Sequence, residues 1–136
     1  MPYAEDYHAS VLILGPDEST VLIHDETKPS PRYWKFPGGK KEFGENPFTT
    51  AVRETKEETG LDIDPTTLTL VSEQIRDRHT KYFLVGSIAS FTGLVHRSKD
   101  REITGIFKHA ELHTMVDFHP TYRSFFKDAI QAGLVP

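Results

Sequence analysis

Runs of apolar and β-branched residues predict five strands along the chain. Each run is short and is bounded by Gly, Pro, Asp or Ser, which are typical of turns. The longest run contains Lys81-Tyr82-Phe83, where strand alternation puts Tyr82 and Phe83 on opposite faces of a sheet. The predicted strands are 7–14, 21–23, 68–74, 80–91 and about 103–107.

Three segments between these runs predict turns or loops. Gly15-Pro16-Asp17 separates the first two strands, so we expect those strands to form a hairpin. Residues 25–32 carry two prolines and many polar side chains, which predicts an exposed loop. Pro37-Gly38-Gly39 predicts a tight turn whose backbone can approach a ligand closely.

Two helices are predicted from apolar residues at helical spacing. The first runs from about Pro47 to Thr59, because Asn46 is a good N-cap, Pro47 suits the first helical position and Gly60 suits the left-handed C-terminal position. The second is closed by Gly133. Its apolar stripe consists of Tyr122, Phe125, Phe126, Ala129 and Ile130.

Strands that precede, separate and follow two helices predict an α/β fold in which helices cover a mixed sheet. A chain of 136 residues with 37% hydrophobic content can form one compact core and is too short for two ordinary domains. We therefore expect a single domain over residues 1–136.

Composition narrows the class of protein. The net charge is −4, which gives no strong signal for nucleic-acid binding, and cysteine is absent, so no disulfide framework exists. The apolar run 11–14 is far too short for a signal peptide or a membrane span. We expect a cytoplasmic protein with no membrane association that acts as a monomer or a homodimer.

The candidate chemistry lies on the first helix, where Glu54, Glu57 and Glu58 share one face. Like charges at this spacing oppose the helix by roughly 0.2–0.5 kcal/mol per pair, so the cluster needs an explanation. One explanation is a solvated surface helix with ion pairs from Arg53 and Lys56. The other is a site for a hard divalent cation such as Mg²⁺, which prefers oxygen ligands.

The flanking residues favour the second explanation. Read from Gly39, the pattern is Gly, five residues, Glu45, seven residues, Arg53-Glu54, then Glu57-Glu58, Gly60 and Leu61. This pattern resembles the Nudix box of the Nudix hydrolase family. One position departs, since the residue after the Arg-Glu pair is usually aliphatic and here is Thr55. We expect the Thr55 hydroxyl to bond back to the preceding turn, at a small cost in stability.

The resemblance implies the α/β/α Nudix fold and Mg²⁺-dependent hydrolysis, with Mn²⁺ as an alternative cofactor. The substrate it implies is a small-molecule nucleotide, a nucleoside diphosphate linked to another moiety. Glu54, Glu57 and Glu58 would hold the metal, and Glu57 or Glu102 would be the general base. Arg53 would orient Glu45 by an ion pair, while Gly38 and Gly39 would let the loop approach the substrate.

Further substrate contacts are expected from aromatic and basic residues. Tyr33 or Tyr82 can stack on a nucleobase, although ordinary core packing is the alternative, as it is for Trp34. Glu102 matches the family only loosely, and a surface charge is its alternative. The cations that can meet phosphates are Arg32, Lys40, Lys41, Arg76 and Lys81.

Other functions remain open from the sequence. A zinc site at His109 and His113 is disfavoured, since Glu111 is not adjacent to either histidine and no third ligand is apparent. Within the hydrolases, the alternatives are dinucleoside polyphosphates, nucleoside triphosphates and the 5′ end of RNA. A non-catalytic nucleotide sensor of the same fold is the alternative from another class, and the complete set of acids argues against it.

Overall fold

The computed structural model describes residues 3–136, which form six strands and three helices. The strands are β1 (Tyr7–Leu14), β2 (Ser19–Asp25), β3 (Gly38–Lys40), β4 (Asp64–Ile75), β5 (Thr80–Ser87) and β6 (Glu102–Lys108). The helices are α1 (Pro47–Thr59), α2 (His109–Leu112) and α3 (Pro120–Gln131). Among these residues, no helix is long and apolar enough to cross a membrane.

The strands form two sheets. A four-stranded mixed sheet has the order β3-β1-β5-β4, in which β1 and β5 are parallel and the outer strands are antiparallel to their neighbours. A second, two-stranded antiparallel sheet pairs β2 with β6. The mixed sheet confirms the predicted fold class.

The predicted hairpin between the first two strands is wrong. A single bridge, between Gly15 and Ser19, is the only pairing between the two segments. A short 3₁₀ turn over Pro16–Glu18 connects them. Asp17 within this turn has φ 57°, a left-handed conformation that a tight hairpin turn of type I′ would also use. Here the chain instead leaves the mixed sheet after β1, and β2 pairs with β6, which is distant in the sequence.

The two faces of the mixed sheet pack against different helices. Along β5, Tyr82 and Leu84 belong to the core cluster that includes Ala51 of α1, whereas Phe83 and Val85 belong to the cluster formed with α3. This alternation confirms that Tyr82 and Phe83 lie on opposite faces. The result is an α/β/α arrangement with one apolar layer on each side of the sheet.

Helix α1 begins and ends where its caps predict. The Asn46 side chain accepts from the Thr49 N–H at 2.9 Å, and the Thr49 hydroxyl accepts from the Asn46 N–H at 3.0 Å, a complete capping box. At the other end, Gly60 has φ 79° and donates its N–H to the Lys56 carbonyl at 2.9 Å. These bonds fix the ends of the helix that carries the acids.

Two other predictions need correction. Gly38 and Gly39 lie on strand β3, not in a tight turn, and a side chain at Gly38 would collide with the Ala9 carbonyl and Ser10 of β1. Strand β5 ends at Ser87, so the predicted strand to residue 91 is four residues too long. The polar sequence after Ile88 leaves the sheet as an irregular segment that reaches β6.

Candidate active site

Two adjoining pockets lie at the end of the mixed sheet beside α1. The acidic pocket, of about 310 Å³, is lined by His8, Ser10, Asp25, Lys35, Gly38, Gly39, Glu54, Glu57, Glu58, Lys81, Asp100, Glu102 and Tyr122. The basic pocket, of about 330 Å³, is lined by Asp25, Lys28, Pro31, Arg32, Tyr33, Lys35, Arg76, Lys81, His119, Thr121 and Tyr122. Because Asp25, Lys35, Lys81 and Tyr122 line both, the pockets form one cleft with an acidic and a basic half.

Glu58 is held between α1 and β3. Its side chain is buried, and its Oε1 accepts from the Gly38 N–H at 2.7 Å. Burial raises the pKa of Glu58, and a hydrogen bond with the Glu102 carboxyl adds to that rise. The raised pKa favours the protonated form of Glu58, which lets its carboxyl group lie beside that of Glu102.

Glu54 occupies the space that a side chain at position 39 would fill. A Cβ on Gly39 would lie 2.6 Å from the Glu54 Cδ, so glycine is required for this carboxylate to lie against β3. Burial raises the pKa of Glu54, the Glu57 and Glu102 carboxylates contribute in the same direction, and Arg53 opposes them. Gly38 and Gly39 therefore line the acidic pocket and position its carboxylates.

Arg53 joins the acids of α1 to the preceding loop. Its Nε and Nη2 donate to the two Glu45 oxygens at 2.7 and 3.0 Å, and its Nη1 donates to Glu57 Oε1 at 2.8 Å. Nη2 also donates to the Lys40 carbonyl at 2.9 Å. These contacts pair Arg53 with Glu45 as the sequence predicted, and they hold Glu57 at the mouth of the acidic pocket.

Glu45 lies outside the acidic pocket and acts within this network. In addition to Arg53, it accepts from the Thr50 hydroxyl at 2.9 Å and from the Glu42 N–H at 2.8 Å. The hydrogen bond from Arg53 is the main reason that the pKa of Glu45 falls to about 2. A carboxylate with this many donors is ionised at any ordinary pH, which suits a structural residue.

Glu102 reaches the same pocket from the other sheet. It begins β6 opposite Asp25 at the end of β2, and its side chain is buried. The Ser98 hydroxyl donates to its Oε1 at 3.3 Å, while its backbone N–H donates to the same hydroxyl at 3.1 Å. Glu102 is therefore not a solvated surface charge, and it lies beside Glu58 although 44 positions separate them in the sequence.

The acidic pocket has the donor set of a divalent cation site. Its buried carboxylates are hard oxygen donors, and their mutual repulsion is the kind that a cation relieves. Among residues 3–136, however, no three histidine or carboxylate side chains already lie close enough together to hold a metal ion. A cation would compete with Arg53 for Glu57 and with the Gly38 N–H for Glu58.

The two tyrosines proposed for substrate contact lie in different places. Tyr33 lines the basic pocket, is 38% exposed and meets the ring of His119 edge-on, with ring centroids 5.5 Å apart. Tyr82 is 3% exposed and lies in the core on the α1 side of the sheet. Its hydroxyl accepts from the Ala4 N–H at 2.7 Å. The position of Tyr82 does not support the predicted contact with a nucleobase, because it lines neither half of the cleft.

Thr55 does not make the bond that we expected from it. It is fully buried, and its hydroxyl is without a hydrogen-bond partner among the described residues. The backward bond belongs to Thr59, whose hydroxyl donates to the Thr55 carbonyl at 2.7 Å. The departure from the family pattern therefore leaves one unsatisfied polar atom under the helix.

Several residues of the cleft were not identified from the sequence. Asp25 begins the predicted loop 25–32 and Lys35 lies outside every predicted element, and the bridge between Lys35 and Ile23 of β2 brings both to the cleft. Tyr122 belongs to the apolar stripe of α3, yet the Lys81 ammonium donates to its hydroxyl at 2.6 Å. The only sequence feature that could have indicated this role is that Tyr122 has a hydroxyl group and lies in the first turn of α3.

Two pairs of histidines lie in different surroundings. His8 of the acidic pocket stacks on His79 with ring centroids 4.2 Å apart, and burial is the main reason that the pKa of His8 falls to about 4. His109 is buried at the start of α2, and His113 tilts against Phe126. Within residues 3–136, no group of three possible metal ligands is found around His109 and His113.

Comparison with known proteins gives a consistent assignment. The family model of the NUDIX domain matches residues 6–129. A Xenopus laevis protein named nucleoside diphosphate-linked moiety X motif 6 is 37% identical over 62 residues, 46% of this chain and 29% of that protein. A Proteus vulgaris 8-oxo-dGTP diphosphatase is 43% identical over 56 residues, 39% of this chain and 50% of that protein. The matched segments span half or less of the length of either relative.

Solved structures show the same fold. A MutT structure from work on Aliivibrio salmonicida and Vibrio cholerae superposes with a TM-score of 0.74 at 23% identity, covering 93% of this chain and 98% of that one. A NUDIX-family hydrolase from Clostridium perfringens superposes with a TM-score of 0.71 at 18% identity, covering 95% and 98%. The family model, which matches nearly the whole chain, decides the assignment, and the chain belongs to the Nudix hydrolase family.

Proposed function

We propose that the protein hydrolyses a diphosphate bond in a nucleoside diphosphate linked to another moiety, and that it requires Mg²⁺ or Mn²⁺. The observation that carries the proposal is the continuous cleft, in which a carboxylate-rich half adjoins a half rich in Lys and Arg. A diphosphate needs cations on both sides. A divalent ion on the carboxylates would meet one side, and the lysines shared by the two halves would meet the other.

Glu54, Glu57 and Glu58 would hold the metal, with Glu102 beside them. When bound, the ion would neutralise phosphate oxygens and lower the pKa of a coordinated water. Arg53 keeps Glu57 at the pocket mouth, and Gly38 and Gly39 keep Glu58 and Glu54 against β3. The carboxylates thus line one pocket, and metal binding would draw them closer together and away from Arg53 and the Gly38 N–H.

Hydrolysis adds water across one P–O bond, so a base must accept a proton from the attacking water. We assign this role to Glu57. One of its oxygens is bonded to Arg53, and half of its side chain is exposed to the cleft (53%). Glu102 is buried and bonded to Ser98 and Glu58, which suits it better to support the carboxylates than to receive a proton from water.

Lys35 and Lys81 would bind the phosphates of the substrate. Both line the two halves of the cleft, and Lys81 is positioned by its bond to the Tyr122 hydroxyl at 2.6 Å. The nucleoside would extend into the basic pocket, where the exposed ring of Tyr33 offers a stacking surface for its base. This arrangement gives the substrate a direction along the cleft.

A second candidate is hydrolysis of a nucleoside triphosphate. The similarity to the Proteus vulgaris 8-oxo-dGTP diphosphatase favours it, since the 56 matched residues are 43% identical. Dinucleoside polyphosphates and a non-catalytic sensor remain as further outcomes of the same test. The candidates differ in which compounds release phosphate or pyrophosphate and from which end.

The test is a panel assay with Mg²⁺ over ADP-ribose, nucleotide sugars, dinucleoside polyphosphates and nucleoside triphosphates, with product analysis. Glu57→Gln should lower turnover of the best compound by roughly 10²–10⁴-fold, as expected for a positioned acid–base group. Its melting temperature should stay close to the parent's, because Gln still accepts from Arg53. Glu73→Gln, an exposed residue of β4 outside the cleft, is the matched control.

Preference for nucleoside triphosphates would replace the first candidate with the second. Binding of nucleotides without hydrolysis of any of them would support the sensor. Full activity in Glu57→Gln would remove Glu57 from the site.

A further inference from the structure

The basic pocket has more positive charge than a diphosphate requires. Five cations line it, namely Lys28, Arg32, Lys35, Arg76 and Lys81, together with one carboxylate, Asp25. This concentration occurs in a chain whose net charge is −4. Lys35 and Lys81 also line the acidic pocket and are accounted for by the scissile diphosphate, so three cations remain without a role.

These cations are also unpaired. Within residues 3–136, ion pairs to carboxylates are formed by Arg53, Lys56, Arg97 and Arg101, and by none of the five cations of the basic pocket. Cations that gather on one wall repel each other, and the repulsion is relieved when an anion binds between them. The missing counter-charge is therefore expected to come from a ligand.

Two of the arginines are held in a way that leaves their end groups available. Arg76 donates from Nε to Gln74 Oε1 at 2.6 Å and from Nη2 to the Thr121 hydroxyl at 3.1 Å. Arg32 donates from Nε to the Lys28 carbonyl at 2.8 Å. A guanidinium anchored through Nε presents its remaining N–H groups in a fixed direction, which is the geometry that suits a phosphate.

The start of α3 adds to the same field. His119 caps this helix by accepting from the Thr121 N–H on its Nδ1 at 3.1 Å, so the ring proton lies on Nε2. His119, Thr121 and Tyr122 all line the basic pocket, which places the positive end of the helix dipole beside the arginines. The ring contributes a neutral donor there.

We propose that the substrate carries a further phosphate group on the moiety that enters the basic pocket, bound by Arg32 and Arg76 with Lys28 nearby. The proposal rests on the proposed function, since the scissile diphosphate is taken to lie at Lys35 and Lys81. It narrows the substrate class to diphosphates whose nucleoside carries a phosphomonoester. An uncharged sugar or nucleoside in this pocket would displace water from the arginines without replacing its hydrogen bonds.

The first arm of the test measures binding without hydrolysis. Calorimetry in EDTA compares AMP with adenosine 2′,5′-bisphosphate, which differ by one phosphate. The parent should bind the bisphosphate about 10–100-fold more tightly, the range expected for added charge-assisted hydrogen bonds. Arg76→Gln and Arg32→Gln should each reduce this ratio by roughly 10-fold. Arg78→Gln, an exposed arginine two residues away that does not line the pocket, should keep the parent's ratio.

The second arm measures hydrolysis of ADP-ribose and ADP-ribose 2′-phosphate with Mg²⁺. The parent should favour the phosphorylated compound in kcat/KM through a lower KM, and Arg76→Gln should reduce that preference. Equal affinity of the parent for AMP and the bisphosphate, or an equal loss in Arg78→Gln, would overturn the proposal. If the binding preference is present but no diphosphate is hydrolysed, the proposed function fails and the phosphate subsite stands. Hydrolysis without any preference defeats the subsite alone.

Discussion

Arg53 determines how the acids of α1 are arranged. Its guanidinium forms ion pairs with Glu45 on one side and with Glu57 on the other, and it donates a third hydrogen bond to the Lys40 carbonyl. Because Glu45 and Arg53 are both largely buried, with 15% and 22% of their side chains exposed, their bonds are worth more than those of a surface pair. The catalytic role proposed for Glu57 therefore depends on the Glu45–Arg53 pair, which positions Glu57 but does not itself react.

The Glu45–Arg53 pair should give the protein a defined acid sensitivity. The pKa of Glu45 is lowered from 4.5 to about 2, so its contribution to stability is present above pH 4.5 and is lost as the pH falls towards 2. Glu45→Gln should lower the free energy of unfolding by about 1–3 kcal/mol at pH 7. In urea unfolding between pH 2 and 7, the gap between parent and variant should narrow as the pH falls. A gap that is constant over this range would show that Glu45 is not the titrating group.

Replacing Thr55 should stabilise the protein, in contrast to the replacement of Glu45. The buried Thr55 hydroxyl has no partner among the described residues, whereas Val has the same shape without the polar atom. Thr55→Val should raise the free energy of unfolding by about 1–2 kcal/mol, since a buried unsatisfied group is removed. Urea unfolding measures this directly. Thr59→Val is the contrasting variant, because it deletes a hydroxyl that donates to the Thr55 carbonyl and accepts from the Leu61 N–H, and it should destabilise.

At the scale of elements, what could be predicted was local. Helix α1 was predicted with its correct ends because Asn46, Pro47 and Gly60 act within one turn of the residues that they cap. The hairpin prediction failed because nothing near Gly15 indicates that β2 pairs with β6. Asp25 was missed for the same reason, since it lies opposite Glu102 in that pairing, whereas Lys35 was missed because its bridge to Ile23 belongs to no regular strand.

Strand β3 and helix α1 pack closely at Gly39, where the Glu54 carboxylate occupies the space that a side chain would need. Gly39→Ala should move the Glu54 carboxylate and lower turnover at least ~10-fold, since small misplacements of catalytic groups are costly. It should also lower stability by about 0.5–1.5 kcal/mol, the cost of forcing the flexible Glu54 side chain out of its preferred rotamer. The combination with Glu54→Asp, whose shorter side chain leaves room, should lose less stability than the sum of the single changes. Additive losses would mean that the two residues are not in contact.

At the scale of the whole molecule, the cleft is assembled from parts that are remote in sequence. Helix α1 supplies three carboxylates, β2 and β6 add Asp25 and Glu102, and residues at the start of α3 line part of the basic pocket. The family pattern therefore predicted the acidic half from one stretch of chain. The basic half follows no local pattern, which is why Arg32, Arg76 and Lys81 were candidates individually but not as a group.

The central claim is that the carboxylates of α1 hold a divalent cation, and Mn²⁺ titration by calorimetry tests it most directly without a substrate. The parent should bind Mn²⁺, and at 100 times the dissociation constant the ion should stabilise the fold by about 2.7 kcal/mol, seen as a higher melting temperature. Glu54→Gln should weaken binding at least ~10-fold, equivalent to about 1.4 kcal/mol, and Glu73→Gln should not. If the parent binds no Mn²⁺, or if Glu54→Gln binds it as tightly as the parent, the account is contradicted.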